Sequence, residues 1–267
     1  MRGWWQEIAD LVLPAECGGC GAARTVLCAR CRAALTGAGP GRVRPVPEPD
    51  GLPPVCAAGP YEDAVRAALL AHKERGVLAL AGPLGAALAG AVRAGPADCG
   101  APGSAVLLVP VPSARGAVRA RGHDPARRIA LAAAGELRRT GVAARVLAVL
   151  RQRRPVADQA GLGSAQRLEN LAGALAVARG AEGLLGEGRV VLVDDVMTTG
   201  ASLAEAARAV REAVREIAWD GREGARMRGG ASGQPTGTGR AVVKEIENMI
   251  CAAVVAAPPD SFEGNRN

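Results

Sequence analysis

The segment VVLVDDVMTTGAS, residues 190–202, holds the densest set of reactive residue types in the 267-residue chain. Four apolar residues read as a strand that ends where Asp194 and Asp195 emerge. Met197-Thr198-Thr199-Gly200-Ala201-Ser202 then turns into a helix. Such a turn aims backbone N–H groups and three hydroxyls into one concavity at a helix N-terminus, which suits a phosphate monoester. The two carboxylates just before it are acceptors fit for vicinal ribose hydroxyls. Phosphate and diol side by side describe a ribose 5-phosphate. An isolated acid pair could equally be a helix cap, but the Thr-Thr-Gly loop behind this one favours the anion reading. There is no GxxxxGK[ST], which excludes a Walker nucleotide loop.

A second constellation is Cys17-x2-Cys20 and Cys28-x2-Cys31. Each pair offers two thiolates from one tight turn, and two such knuckles supply the four sulfurs of a tetrahedral zinc site. With all four positions filled no water could be activated, so the metal's role is structural. An iron–sulfur cluster or a redox pair is the alternative; disulfides do not suit a cytosolic chain. Cys251 lies in an apolar run and reads as a small buried hydrophobe, whereas Cys56 and Cys99 show no partner spacing.

The formal charge of +7 has an address. Residues 113–154 carry eleven arginines against two acids, a net +9, which leaves the rest of the chain at −2. A surface coated for nucleic acid would spread its charge, and aromatics, at 2%, are too few for a base-stacking platform. A localised polyphosphate site fits better, with nucleic-acid contact not favoured. Lys73 is one of two lysines among 33 basic residues, which suggests a position that needs a compact ammonium. His72 and His123 have no further histidine nearby in sequence and read as structural.

These groups need a scaffold, and the pattern supplies one. VLLVPVP (106–112), VAARVLAVL (142–150), GRVVLVDD (188–195) and MICAAVVAA (249–257) read as strands, with helices between them. Asp124 caps a helix that has Pro125 at its first position and Gly141 past its end. Another helix is expected from about Ser202 to Ile217. Alternating strands and helices give an α/β fold with a mostly parallel sheet and function at the strands' carboxyl ends. The organisation expected is a cysteine module over 1–35, opening with a helix (Trp4, Ile8, Leu11 and Val12 on one face, Pro14 at its end). A Pro/Gly linker follows over 36–54, then the main domain over 55–258 with a mobile glycine-rich insertion at 219–240, and a tail over 259–267. No signal peptide or membrane span is apparent, and a cytoplasmic location is expected.

VVLVDDVMTTGAS resembles the phosphoribosyl pyrophosphate (PRPP) motif of type I phosphoribosyltransferases. The four-cysteine motif, His72-Lys73-x-x-Gly76, VPVPSARGAVRARGHDPAR and QAGLGSAQRLENLAGAL narrow the resemblance to the ComF family of competence-associated phosphoribosyltransferase-like proteins. It covers residues 10–217 and resumes at 249–257. Where many relatives read RGxNQ, this chain has Arg121-Gly122-His123-Asp124-Pro125, and Asp124 keeps the helix-capping role.

The resemblance implies a type I phosphoribosyltransferase-like sheet flanked by helices with a small zinc-ribbon-like N-terminal module. It implies PRPP bound with Mg²⁺ by Lys73, Ser113, Arg115, Arg119, Arg121, Asp194, Asp195, Met197, Thr198, Thr199, Gly200, Ala201 and Ser202. The arginines would face the diphosphate, and Asp194 and Asp195 would serve the reacting ribose. Arg153, Gln159 and Arg167 would belong to a segment that closes over the site. The implied reaction is glycosyl transfer from PRPP to an unknown base or amine. The alternative is a non-catalytic PRPP- or nucleotide-binding accessory protein in DNA uptake or processing, docking on a competence or DNA-processing partner.

Overall fold

Continuous apolar runs, rather than alternating ones, build strands that are buried on both faces. In the computed structural model, which describes residues 16–37, 39–96, 103–154, 164–228 and 250–263, such runs form the centre of a six-stranded sheet. They are β2 (Val55–Pro60), β3 (Val106–Pro110), β7 (Arg189–Val196) and β8 (Ile250–Ala257), and every residue of β8 is buried. β1 (Gly41–Val43) and β4 (Ala144–Val146) form the edges, in the order β1-β2-β8-β7-β3-β4. All neighbours are parallel except β1 and β2. The α/β reading with a mostly parallel sheet therefore holds.

Helices cover both faces. On one lie α2 (Asp63–Lys73), α3 (Ala81–Arg93) and α5 (Pro125–Arg139), whose Leu69, Leu84, Leu88, Ile129 and Leu137 share a core with Val106, Leu108 and Val191 of the sheet. On the other, α7 (Ala201–Arg228) sets Leu203, Val210 and Val214 against Leu107, Val109, Val190 and Leu192. Chain leaving β3 thus goes to one face and chain leaving β7 to the other. A crevice opens between the carboxyl ends of these two adjacent strands, where open α/β sheets bind ligands.

With so few aromatics, the core is filled by close approach of small side chains. Where α3 meets α5, a Cβ on Gly85 would lie 2.5 Å from Ala132 Cβ and 2.8 Å from Ala133 N, so only glycine fits. α5 begins as its sequence dictates: the Asp124 side chain accepts from Arg127 N at 3.1 Å, and Pro125 takes the first helical position.

Three expectations need correction. The run 142–150 is two short strands: β4 pairs with β3, whereas β5 (Leu150–Gln152) leaves the sheet and pairs antiparallel with β6 (Leu175–Val177). Eight apolar residues in nine hid the break, because hydrophobicity does not say which sheet a strand joins. The segment 36–54 is packed rather than a free linker. It contains β1, its Pro45 and Pro49 are buried, and Gly51 O accepts from Arg211 Nη1 at 2.7 Å. Prolines that break helices still serve at an edge and in a close-packed turn. Finally, α7 continues to Arg228, ten residues into the stretch expected as a loop, because Ala, Arg and Glu favour helix enough to carry Gly221 and Gly224. The rest of that insertion, the expected N-terminal helix and Cys99 lie outside the described residues.

Gly85→Ala is expected to destabilise the chain by roughly 1–3 kcal/mol through overpacking. In the same helix Gly90→Ala, whose Cβ would meet nothing within 4 Å, should be neutral or stabilising by up to ~1 kcal/mol. Denaturant titration of both variants checks the contrast.

Candidate functional site

The crevice is a cleft of about 730 Å³. Its floor is set by register. Pro110 pairs with Val193, and Val111 N donates to Val193 O at 2.9 Å, so the loop after β3 lies beside the Asp194-Asp195 step of β7. Of the residues expected to bind ligand, Lys73, Ser113, Arg121, Asp194, Asp195, Thr198 and Ser202 line this one cleft. They come from three separate stretches of chain, brought together by the fold.

The acid pair is held in place locally. Asp195 N donates to Asp194 Oδ1 at 2.8 Å, and Val196 N to Asp195 Oδ1 at 2.9 Å. Lys73, the last residue of α2, reaches Asp195 Oδ2 at 2.9 Å; the Asp195 side chain is 8% exposed and that of Lys73 37%. Burial alone would lower the Lys73 ammonium's pKa, but the Asp195 and Asp194 carboxylates outweigh it and raise it above its ordinary value. Burial first, and the neighbouring Asp195 second, push Asp194 well above the usual carboxylate range.

Glu74 next to Lys73 makes a second crossing of the cleft, accepting from Arg121 Nε at 3.2 Å and Nη2 at 3.1 Å. Arg121 closes α4 (Arg115–Arg121), a short helix that buries none of its residues. Asp124 does two jobs. Besides capping α5, its Oδ2 accepts from Ser113 N at 3.3 Å and so fixes the loop after β3. The histidines brace this edge. His123 Nε2 faces His72 O and its Nδ1 faces Arg121 O, both at 3.2 Å, tying the end of α2 to the end of α4. His72 is fully buried, which lowers its pKa, and its Nδ1 lies 3.3 Å from Val77 O.

Other expected residues sit elsewhere. Met197 and Ala201 are buried, with the Met197 side chain in the core beneath the loop alongside Leu107 and Leu203. Gly200 has φ +76°, and a Cβ there would meet Leu52 Cδ2 at 3.1 Å, so the turn depends on glycine and rests on the packed 45–52 segment. Thr199 Oγ1 accepts from Ala201 N at a long 3.5 Å. Arg115 and Arg119 are exposed on α4 and Arg153 is exposed beyond β5. Gln159 and the Arg167 side chain lie outside the described residues.

Sequence reasoning passed over Glu74, Tyr61 and Gln152, which line the cleft, and the Glu205–Arg208 pair. Glu74 adjoins the singled-out Lys73, but its partner Arg121 is 47 residues away and no local pattern links them.

The four cysteines meet as their spacing requires. Their Sγ atoms all lie within 4.8 Å of one another, with Cys20 and Cys28 at 3.6 Å. A tetrahedron with Zn–S of about 2.3 Å has edges of about 3.8 Å, so the cluster is compatible with a structural zinc ion. Burial opposes ionisation of Cys17, yet the backbone amides of Cys28, Cys20 and Gly19 bring its thiol down to about 6. Cys17 and Cys31, with Leu27 and Leu35, belong to the same core as α2 and α3. Cys28 is the N-cap of α1 (Ala29–Thr36), which contains Cys31 and packs on α2 and β2.

No family model matches the chain, and no curated protein matches it. Among the described residues no helix is long and apolar enough to cross a membrane.

Because a proton on Asp194 favours the folded state, its contribution to stability falls as pH rises from the ordinary carboxylate range through its raised value. Asp194→Asn is therefore expected to raise Tm at pH 8 by about 2–4 °C, equivalent to roughly 1 kcal/mol. The gain should shrink towards pH 4 in melts across pH. For the cysteine cluster, elemental analysis is expected to find one zinc per chain. A strong chelator should lower Tm of the whole chain in one transition, since Cys17 and Cys31 are built into the main core.

Proposed function

We propose that this cleft binds PRPP with Mg²⁺ and that the chain is a phosphoribosyltransferase-like protein of the ComF kind, transferring phosphoribosyl to a base or amine. The observation that carries the reading is the cleft floor: an acid pair at the end of β7, Asp195 buried and Asp194 half-buried, followed directly by the Thr198–Ser202 turn into α7. In this arrangement the turn takes the 5-phosphate and Asp194 and Asp195 take the ribose hydroxyls. Lys73 and Arg121, across the cleft, meet the diphosphate.

The reaction is displacement at the anomeric carbon. Pyrophosphate departs with the electron pair of the C–O bond, the acceptor nitrogen supplies the pair for the new C–N bond, and its proton is lost to water. The cations offset the charge that builds on the leaving group, and the carboxylates fix the ring as it becomes positive. No protein nucleophile is needed. Asp194 and Asp195 offer the hard oxygens that suit Mg²⁺, which would supply further neutralisation of the diphosphate.

The two ion pairs already spanning the cleft give the site a defined resting state. Lys73 neutralises Asp195, and Glu74 occupies the Arg121 fork. Ligand binding exchanges those partners for phosphate and hydroxyl groups rather than exposing bare charges in a half-buried cleft. The zinc reading of the cysteine cluster belongs to the same proposal, with the metal holding the N-terminal module against the α2 face.

Mg²⁺·PRPP at a hundred times its Kd is expected to stabilise the chain by about 2.7 kcal/mol, a Tm rise of roughly 5–10 °C. Lys73→Ala and Thr198→Ala should remove most of that rise, and pyrophosphate alone should reproduce part of it. An unshifted wild-type melt overturns the proposal.

A further inference from the structure

The floor of the cleft is taken up by the residues given to phosphate, ribose and diphosphate. What remains is the wall that faces them, formed by β5, β6 and the end of α6 (Ser164–Leu171). This wall presents Leu171, Leu175 and Gln152 to the cleft. Gln152 is the one polar side chain these elements contribute to the cleft lining, among the described residues. It is half-buried, and its amide makes no hydrogen bond among them.

An anchor holds that amide over the site. Gln152 pairs in register with Leu175 of β6. Both backbone polar groups of Leu175 are gripped from α7: Leu175 N donates to Glu205 Oε1 at 2.8 Å, and Arg208 Nη2 donates to Leu175 O at 2.8 Å. Arg208 also donates to Glu205 through Nε at 2.7 Å and Nη2 at 2.8 Å. Glu205 is 6% exposed, and although burial opposes its ionisation, Arg208 and the Leu175 N–H keep its pKa below the ordinary value. The helix that carries this clamp begins at the Thr198–Ser202 turn. The Thr198–Ser202 turn and the strand partner of Gln152 are therefore tied to the same helix.

We propose that Gln152 is the specificity-determining residue for the acceptor, and that the acceptor is an uncharged planar heterocycle whose edge carries adjacent hydrogen-bond donor and acceptor atoms. The inference rests on the ribose-phosphate reading of the cleft floor. A primary amide offers one N–H and one C=O in a single plane, which complements a lactam or amidine edge. Leu171 and Leu175 supply apolar surface for the faces of a ring. Among the described residues, none that these elements contribute to the cleft lining is a carboxylate that could hold a cationic amine. A site whose polar group is left unpaired by the wrong ligand rejects it strongly, so one well-held amide is enough to discriminate. Glu205 and Arg208 are positioning residues that act through Leu175.

Nucleoside monophosphates carry the product's ribose phosphate and a base, which makes them usable probes. Kd values for ribose 5-phosphate, AMP, IMP, CMP and UMP are compared by calorimetry on the full chain. In the wild type at least one nucleotide is expected to bind roughly ten-fold or more tighter than ribose 5-phosphate, the size of a hydrogen bond made in a desolvated site. Gln152→Leu should erase that increment and leave ribose 5-phosphate unchanged, which also shows that the variant is folded. Gln152→Glu, which lacks the donor, should reorder the nucleotides in favour of bases that present amino groups. Nucleotides binding no tighter than ribose 5-phosphate, or an increment and order unchanged in both variants, overturn the inference. Absence of ribose 5-phosphate binding in the wild type defeats the underlying reading of the floor instead.

Discussion

Two carboxylates on consecutive residues at the end of a buried strand are the constraint around which the site is arranged. Burial disfavours charge on Asp194, and the adjacent Asp195 carboxylate adds to that. One ammonium and two backbone N–H groups offset this, with Lys73 on Asp195 and the next amide in the chain donating to each carboxylate. The ammonium can be there only because α2 ends beside β7, and α2 ends there because its Val65, Ala68 and Leu69 are buried on the same sheet face as α3. The histidine brace and the Glu74–Arg121 pair then fasten the end of α2 to the end of α4. Local charge balance and global packing are one problem here.

Much of this was legible in the residues. β8 and the 190–193 stretch of β7 are unbroken apolar runs, the pattern that a strand buried on both faces leaves. Asp124-Pro125 announced α5 because capping is a property of adjacent residues. The two CxxC turns announced their cluster for the same reason. Less legible was anything decided by which surface a segment meets. Pro45 and Pro49 read as linker but are buried against the fold, and the run 142–150 was divided between two sheets by pairings with β3 and β6. Within the site, the acid pair and hydroxyl turn could be read because they are contiguous. Glu74, Gln152 and the Glu205–Arg208 clamp could not, since each takes its meaning from a partner 30 to 47 residues away or from a wall that only the folded chain has. The arginine-rich stretch sits between these cases. Of its three arginines expected at the site, Arg121 lines the cleft, while Arg115 and Arg119 are exposed on α4.

The cysteine cluster and the cleft occupy the same half of the molecule without sharing residues. Cys17 and Cys31 join the core that also seats α2, so a metal there would steady the element that delivers Lys73 and Glu74. The α7 face performs the matching task for the opposite wall, through the grip on Leu175. Each wall of the cleft is thereby referred to a different face of one sheet. Relative placement of Lys73 and Gln152 then depends on the sheet, its most deeply buried layer.

The most direct test of the account is a crystal structure of the chain with Mg²⁺ and PRPP. The 5-phosphate is expected in the Thr198–Ser202 turn, the ribose diol on Asp194 and Asp195, and the Lys73 ammonium on the diphosphate instead of 2.9 Å from Asp195. PRPP bound elsewhere, or bound with the Lys73–Asp195 pair intact, would contradict it.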